Sequence, residues 1–171
     1  MTNAELVAEF VGYCFSEKGL SPLTVKAYER YLRQFVHGLD KPLSETGQED
    51  IGNFLSGLNP LLSGNSKALY FSPLRQFFLF LQRDGHIQKD PTAGMRAPKQ
   101  SRRLPKVLTE DEVERLIELP GRRVSYELNL RNRAILEVFY ASAIRLSELA
   151  GLNCMDVRLK ERTLLVRGKG R

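Results

Sequence analysis

Cysteine and histidine are scarce in this chain, with two of each, and that scarcity limits its chemistry at once. Cys14 and Cys154 lie far apart, each among apolar neighbours, and there is no Cys-x-x-Cys pair. Neither a disulfide framework nor a zinc site is indicated, and both cysteines read as reduced packing residues. Long apolar runs are missing too. No stretch reaches the roughly 20 residues that a bilayer requires. Met1-Thr2-Asn3-Ala4-Glu5 has no basic segment leading into an apolar one, so export is not signalled. The expectation is a cytoplasmic protein with no metal site and no membrane partner. Internal repeats and low-complexity tracts are also lacking.

Acidic residues are absent from one stretch, and there the charge of the chain collects. Residues 1–94 hold nine basic and ten acidic side chains, and residues 107–171 hold twelve and ten. Between them, residues 95–106 carry Arg96, Lys99, Arg102, Arg103 and Lys106 with no acid. Most of the net charge of +6 is therefore concentrated where a polyanion would meet it, although basic linkers of no special function share this composition. Pro91, Pro98 and Pro105 keep residues 86–106 out of helix. Extended at about 3.3–3.6 Å per residue, the basic stretch spans roughly 40 Å, against a major groove ~12 Å wide. Such a tether lets two domains grip opposite sides of a duplex.

With 42% hydrophobic residues the chain has material for a globular core. Residues 1–94 read as four helices. Leu6, Phe10 and Cys14 with Val7 and Val11 make one stripe, closed by Gly19. Ser21 caps a second helix that has Pro22 in its first turn, and Val25, Tyr28, Leu32, Phe35 and Val36 carry it to Gly38. Ile51, Phe54, Leu55 and Leu58 share a face of the third. The fourth, residues 64–84, holds Ala68, Phe71, Leu74, Phe77, Phe78 and Leu81. Pro73 predicts a kink or a late start in it. Thr109-Glu110-Asp111-Glu112 is a capping box that opens a second domain, with Leu108 and Val113 as its hydrophobic staple. Val113, Leu116 and Ile117 form the buried face of that helix. Leu130, Ala134, Ile135, Val138 and Phe139 mark another helix, and a short one around 145–150 closes at Gly151. Val157 and Leu159, then Leu164 and Val166, flank a polar turn at Lys160-Glu161-Arg162 and predict a β-hairpin. The expected class is mainly α with one small hairpin, divided into a helical domain over 1–94, a basic linker over 95–106 and a second domain over 107–171.

Two residues near the end of the chain suggest phosphoryl-transfer chemistry. Arg145 stands in Ala143-Ile144-Arg145-Leu146-Ser147-Glu148, and Lys169 follows 24 residues later in Gly168-Lys169-Gly170. That reaction needs charge stabilised on the non-bridging oxygens and a proton delivered to the leaving oxygen. A guanidinium supplies the first and an ammonium the second. Glu148, three residues beyond Arg145, shares its face if the segment is helical. An ordinary surface ion pair has the same Arg-x-x-Glu spacing.

The order of segments adds a resemblance. Leu130-Arg131-Asn132-Arg133-Ala134-Ile135-Leu136-Glu137-Val138-Phe139-Tyr140, continued to Leu152, resembles the segment that carries the first catalytic arginine in tyrosine recombinases of the Xer and phage-integrase type. Arg162-Thr163-Leu164-Leu165-Val166-Arg167-Gly168-Lys169-Gly170 is similar to that family's strand and turn bearing the catalytic lysine. Arg103-Leu104-Pro105-Lys106-Val107-Leu108-Thr109 resembles its interdomain junction. Ser21-Pro22-Leu23-Thr24-Val25-Lys26-Ala27-Tyr28 and Leu74-Arg75-Gln76-Phe77-Phe78 are similar to its helical, SAM-like core-binding domain. The resemblance implies an α+β catalytic domain beginning near residue 107. It implies Arg145 on the scissile phosphate, Lys169 as proton donor to the 5′ oxygen, and Glu148 in support. It further implies double-stranded DNA as partner, further recombinase subunits on that DNA (a tetramer in the family), and strand exchange through a 3′-phosphotyrosyl link without metal or ATP. Lys26, Arg30, Arg33, Lys67 and Arg75 of the helical domain are expected phosphate contacts alongside the linker cations, with a solvated helix face as the plain alternative.

Three features depart from the family pattern. Its later histidine, second arginine, histidine or tryptophan, and nucleophilic tyrosine are expected past position 171, so this chain is read as a catalytically incomplete piece ending in a hairpin with an unpaired edge. Ala143 stands where the family often has glycine, so a turn that needs positive φ is strained or built differently. Leu69 occupies a position on the fourth helix where a basic residue is common. A stand-alone DNA-binding regulator and a helical protein-interaction module remain open as alternatives.

Overall fold

The computed structural model describes residues 1–58, 62–99, 104–119 and 125–168. The chain divides into two compact units, Met1–Arg103 and Leu104–Arg171.

The first unit is built from α1 (Asn3–Ser16), α2 (Pro22–His37), α3 (Gln48–Gly57) and α4 (Gly64–Arg83), with a 3₁₀ turn over Leu43–Glu45. The start signals are satisfied by side chains. Thr2 and Glu5 form a reciprocal capping box on α1. Ser21 accepts from Thr24 N–H behind Pro22, and Ser63 accepts from Ser66 N–H. At α3 the cap is Gly47, so only the carboxylate half is made, with Asp50 accepting from Gly47 N–H at 2.7 Å. The stripes expected on these helices meet in one core. Phe10, Phe35, Phe77, Phe78, Leu32, Leu74 and Leu81 are fully buried. Phe10 lies 5.3 Å from Phe77 and 5.4 Å from Phe80 between ring centroids, and Phe35 meets Phe54 edge-on at 5.1 Å. Cys14 sits in this core, where burial pushes its thiol pKa up.

Pro73 does not delay α4, which is helical from Gly64 onward with the proline buried inside it. The missing N–H leaves the carbonyl of Leu69 without its helical partner, and Leu69 is exposed, so water can serve that carbonyl. The segment after α4 is less of a free tether than its prolines suggest. Ile87, Pro91 and Thr92 are buried and Met95 packs against the core. The Asp90 carboxylate accepts from both the N–H and hydroxyl of Thr92. The chain then passes so close to the start of α4 that a β-carbon on Gly64 would run into the carbonyl oxygen of Lys99, which only glycine avoids.

The second unit contains α5 (Glu110–Glu118), α6 (Tyr126–Ser142), α7 (Leu146–Ala150), a 3₁₀ turn over Cys154–Asp156, β1 (Val157–Arg158) and β2 (Thr163–Leu164). The Thr109–Glu112 capping box forms as its sequence predicts. The strands pair antiparallel, Val157 with Leu164 and Arg158 with Thr163. Leu159 belongs to the turn instead of the strand and is 84% exposed, and Arg162 completes the turn at φ 52°. Among the described residues of this unit, no apolar side chain is fully buried. Val113, Ile117, Ile135, Val138 and Phe139 are half-buried, and Leu116 and Leu130 are exposed, so the buried faces expected of α5 and α6 are only half covered. One helix laid on another shields a single stripe of each and encloses no interior. Cys154, expected to pack, is exposed in the 3₁₀ turn for the same reason. No described helix is long and apolar enough to cross a membrane.

Candidate functional site

Arg145 is presented by a sharp connection between two helices. Helix α6 ends at Ser142, and Ala143 takes the left-handed conformation, φ 51° and ψ 25°, with its N–H bonded to Phe139 carbonyl at 2.9 Å. The positive φ that the family pattern supplies with glycine is thus kept here with a β-carbon in place. Arg145 is not inside the next helix but at its N-cap, in extended backbone at φ −76° and ψ 154°. An arginine side chain offers no acceptor to a helix N-terminus. The link is therefore one-sided. Glu148, at the third position of α7, accepts the backbone N–H of Arg145 on Oε2 at 2.7 Å and its guanidinium on Oε1 at 2.8 Å.

One carboxylate thus holds both the main chain and the side chain of the same residue. The Glu148 side chain is only 10% exposed, whereas the Arg145 side chain is 74% exposed. The carboxylate is withdrawn and the cation faces outward. Those two hydrogen bonds from Arg145, the backbone one first, hold the Glu148 carboxyl below the usual carboxylate range. The guanidinium keeps free donors for an incoming anion.

The chain after β2 comes to the same place at Gly168. A β-carbon on Gly168 would stand 4.0 Å from Oε1 of Glu148, so the backbone next to Lys169 adjoins the carboxylate that grips Arg145. Lys169 itself lies outside the described residues, as do Arg102 and Arg103. Below this segment lies Asp156, the buried charged residue among those described. Its carboxylate accepts from Asn153 N–H at 2.9 Å and Arg167 Nη2 at 3.3 Å, and its carbonyl accepts from Leu165 N–H at 2.9 Å. Sequence reading passed over this group. The Asn153-x-x-Asp156 spacing, an acceptor side chain three residues after a possible cap, was the available signal.

The other candidate cations divide by what they touch. Lys26, Arg75, Arg96, Lys99 and Lys106 are exposed and Lys67 is half-buried. None of them makes an ion pair with a described residue. Arg33 is paired with Glu29 at 2.8 Å. Arg30 lies over the Tyr31 ring, 4.9 Å from its centroid, and donates to the Tyr31 hydroxyl at 3.1 Å. Tyr31 in turn packs against Tyr70 at a tilt, with ring centroids 4.3 Å apart. Arg30 is thus held flat on α2 by an aromatic pair that spans α2 and α4, a support not visible from helical spacing alone.

Both units of the chain match known families. Residues 7–85 match the family described as phage integrase, N-terminal SAM-like domain, and residues 106–171 match the phage integrase family. The chain belongs to the phage integrase family of tyrosine recombinases. It is 38% identical over 172 residues to the tyrosine recombinase XerD of Listeria monocytogenes serotype 4b (strain F2365), covering 97% of this chain and 57% of that protein. It is 37% identical over 175 residues to the tyrosine recombinase XerC of Thermodesulfovibrio yellowstonii, covering 100% of this chain and 57% of that one. The chain therefore spans little more than half the length of these relatives. Among solved structures, a lambda integrase dimer bound to a COC′ core site superposes with a TM-score of 0.75 at 20% identity, covering 98% of this chain and 48% of that one. The Tn1549 transposon integrase in complex with a circular intermediate DNA gives 0.74 at 19%, covering 97% and 52%. At that identity the likeness concerns the fold: a helical domain followed by the α5–β2 arrangement described above.

Proposed function

We propose that this chain is a DNA-binding part of a site-specific tyrosine recombinase. Its role is to grip duplex DNA and to hold two of the cationic groups that act on the scissile phosphate. The observation that carries this reading is the Glu148 clasp: an outward guanidinium fixed at a helix N-cap, with the backbone beside Lys169 against the same carboxylate. In this reading Arg145 stabilises charge on the non-bridging oxygens, Lys169 delivers a proton to the departing 5′ oxygen, and Glu148 orients Arg145 without reacting. The reaction of the whole protein is cleavage and rejoining of strands through a phosphotyrosyl link, performed by several subunits on DNA in the cytoplasm. Arg96, Lys99, Arg102, Arg103 and Lys106 neutralise backbone phosphates, with Lys26, Arg30, Lys67 and Arg75 adding contacts from the helical unit. The domain division at 1–94, 95–106 and 107–171 belongs to the same proposal.

The test is duplex binding across a salt series, followed by incubation with a nicked suicide duplex. If the five cations of the basic stretch all touch phosphates, they contribute roughly 4–5 units to the slope of log K against log salt. The expected result is steep salt dependence with no covalent adduct from this chain. Weak, salt-insensitive binding would favour a protein-interaction module, and a phosphotyrosyl adduct would contradict the assignment of roles.

A further inference from the structure

A buried carboxylate in the second unit has no part in the chemistry described so far. Asp156 is the one described residue of that unit that is buried, in a unit where every described apolar side chain is half-buried or exposed. Taking a charge out of water is costly unless strong partners replace the lost hydration. Asp156 has such partners on two sides. Asn153 donates through its backbone N–H at 2.9 Å and its Nδ2 at 3.3 Å, and Arg167 donates from eleven residues downstream at 3.3 Å. The Arg167 side chain is 63% exposed while that of Asp156 is 7% exposed, so the carboxylate is the fixed end and the guanidinium is drawn down to it.

The position of this clasp in the chain gives it meaning. The ladder between β1 and β2 is only two residue pairs long. The Leu165 N–H bond to the Asp156 carbonyl extends it, and the Arg167 ion pair is the next tie. Gly168 follows directly, against Glu148, and Lys169 follows Gly168. The path of the chain between β2 and Lys169 is therefore held by Asp156 on one side and bounded by the Arg145–Glu148 pair on the other.

We propose that Asp156 is a positioning residue for Lys169: by clamping Arg167 it sets where Gly168, the residue before Lys169, stands against the Arg145–Glu148 pair. This rests on the reading that Lys169 contacts a DNA phosphate. Asp156→Asn keeps the shape and the Asn153 partner but removes the charge that draws Arg167 in.

A double-substitution cycle on the full chain binding duplex DNA tests the claim, read as the slope of log K against log salt. Lys169→Ala is expected to lower the slope by about 0.9, the value of one phosphate contact. Asp156→Asn is expected to lower it by a similar amount with Lys169 present, and adding Lys169→Ala to it changes nothing further. Hydrogen exchange of the Leu165 amide checks that the turn is still folded, because its acceptor is a backbone carbonyl. If Asp156→Asn unfolds the turn, Arg167→Gln breaks the same tie from its exposed side, and its cycle with Lys169→Ala is read for the same non-additivity. Additive effects, with Lys169→Ala active alone, overturn the positioning role and leave the Lys169 assignment standing. A silent Lys169→Ala overturns the phosphate-contact reading, and the positioning role with it.

Discussion

At residue scale, Ala143 and Glu148 show how the site is held. A non-glycine residue in the left-handed region costs about 1–2 kcal/mol, and Ala143 stands there at φ 51°, two positions before Arg145. Glycine removes that cost but loses more freedom on folding. Ala143→Gly should therefore stabilise the second unit by about 0.5–1 kcal/mol in denaturant titration. Ala143→Val, with a branched β-carbon in the same conformation, should destabilise it. Glu148 bears on pH. Its folded pKa is depressed by the two Arg145 hydrogen bonds. The stability it contributes is then complete above the ordinary carboxylate value, about 4.3, and is lost as pH falls through the lower folded value. Unfolding measured from pH 7 downward should show this loss, and Glu148→Gln should be less stable at pH 7 and less sensitive to acid. The presence of both residues was readable in the sequence. The cap position of Arg145 was not, because Arg-x-x-Glu spacing is the same whether arginine begins a helix or lies within it.

At the scale of elements, the helices were legible where their stripes face one another. Leu6, Phe10 and Cys14 on α1 and Leu74, Phe77, Phe78 and Leu81 on α4 all reached the core, because several helices close over them. Where a stripe has one partner, as on α5, periodicity identified the helix and overstated its burial. Of the two outcomes expected at Pro73, a late start does not occur, because apolar packing on either side of the buried proline carries α4 through it. Alternation places Leu159 in a strand, yet it lies in the turn, because alternation alone does not fix register. Phe77 on α4 is fully buried between the rings of Phe10 and Phe78. Phe77→Ala should cost about 3–5 kcal/mol of that unit's stability, seen as a lowered unfolding midpoint. A loss under 1 kcal/mol would show that the aromatic cluster is not what holds the bundle.

On the scale of the whole molecule, charge and burial divide along the chain. The first unit is closed and aromatic in its core, with its excess positive charge gathered after residue 94. The second has apolar faces only half covered and two clasped carboxylates, Glu148 and Asp156. Composition located the charge, and the order of motifs located the family, since neither depends on packing. The approach of Gly168 to Glu148 and the reach of Arg167 to Asp156 depend on the path of the chain after β2, which no local pattern encodes, whereas the Asn153-x-x-Asp156 spacing marks the local half of that clasp. In the proposed function Arg145 and Lys169 serve one phosphate. Nuclear magnetic resonance with a short duplex tests it most directly, by following the Arg145 side-chain Nε–H and the Lys169 amide through a titration. The account predicts that both signals shift with one common dissociation constant and that Arg145→Ala diminishes the Lys169 response. Shifts that titrate independently, or a Lys169 signal indifferent to DNA, would contradict it.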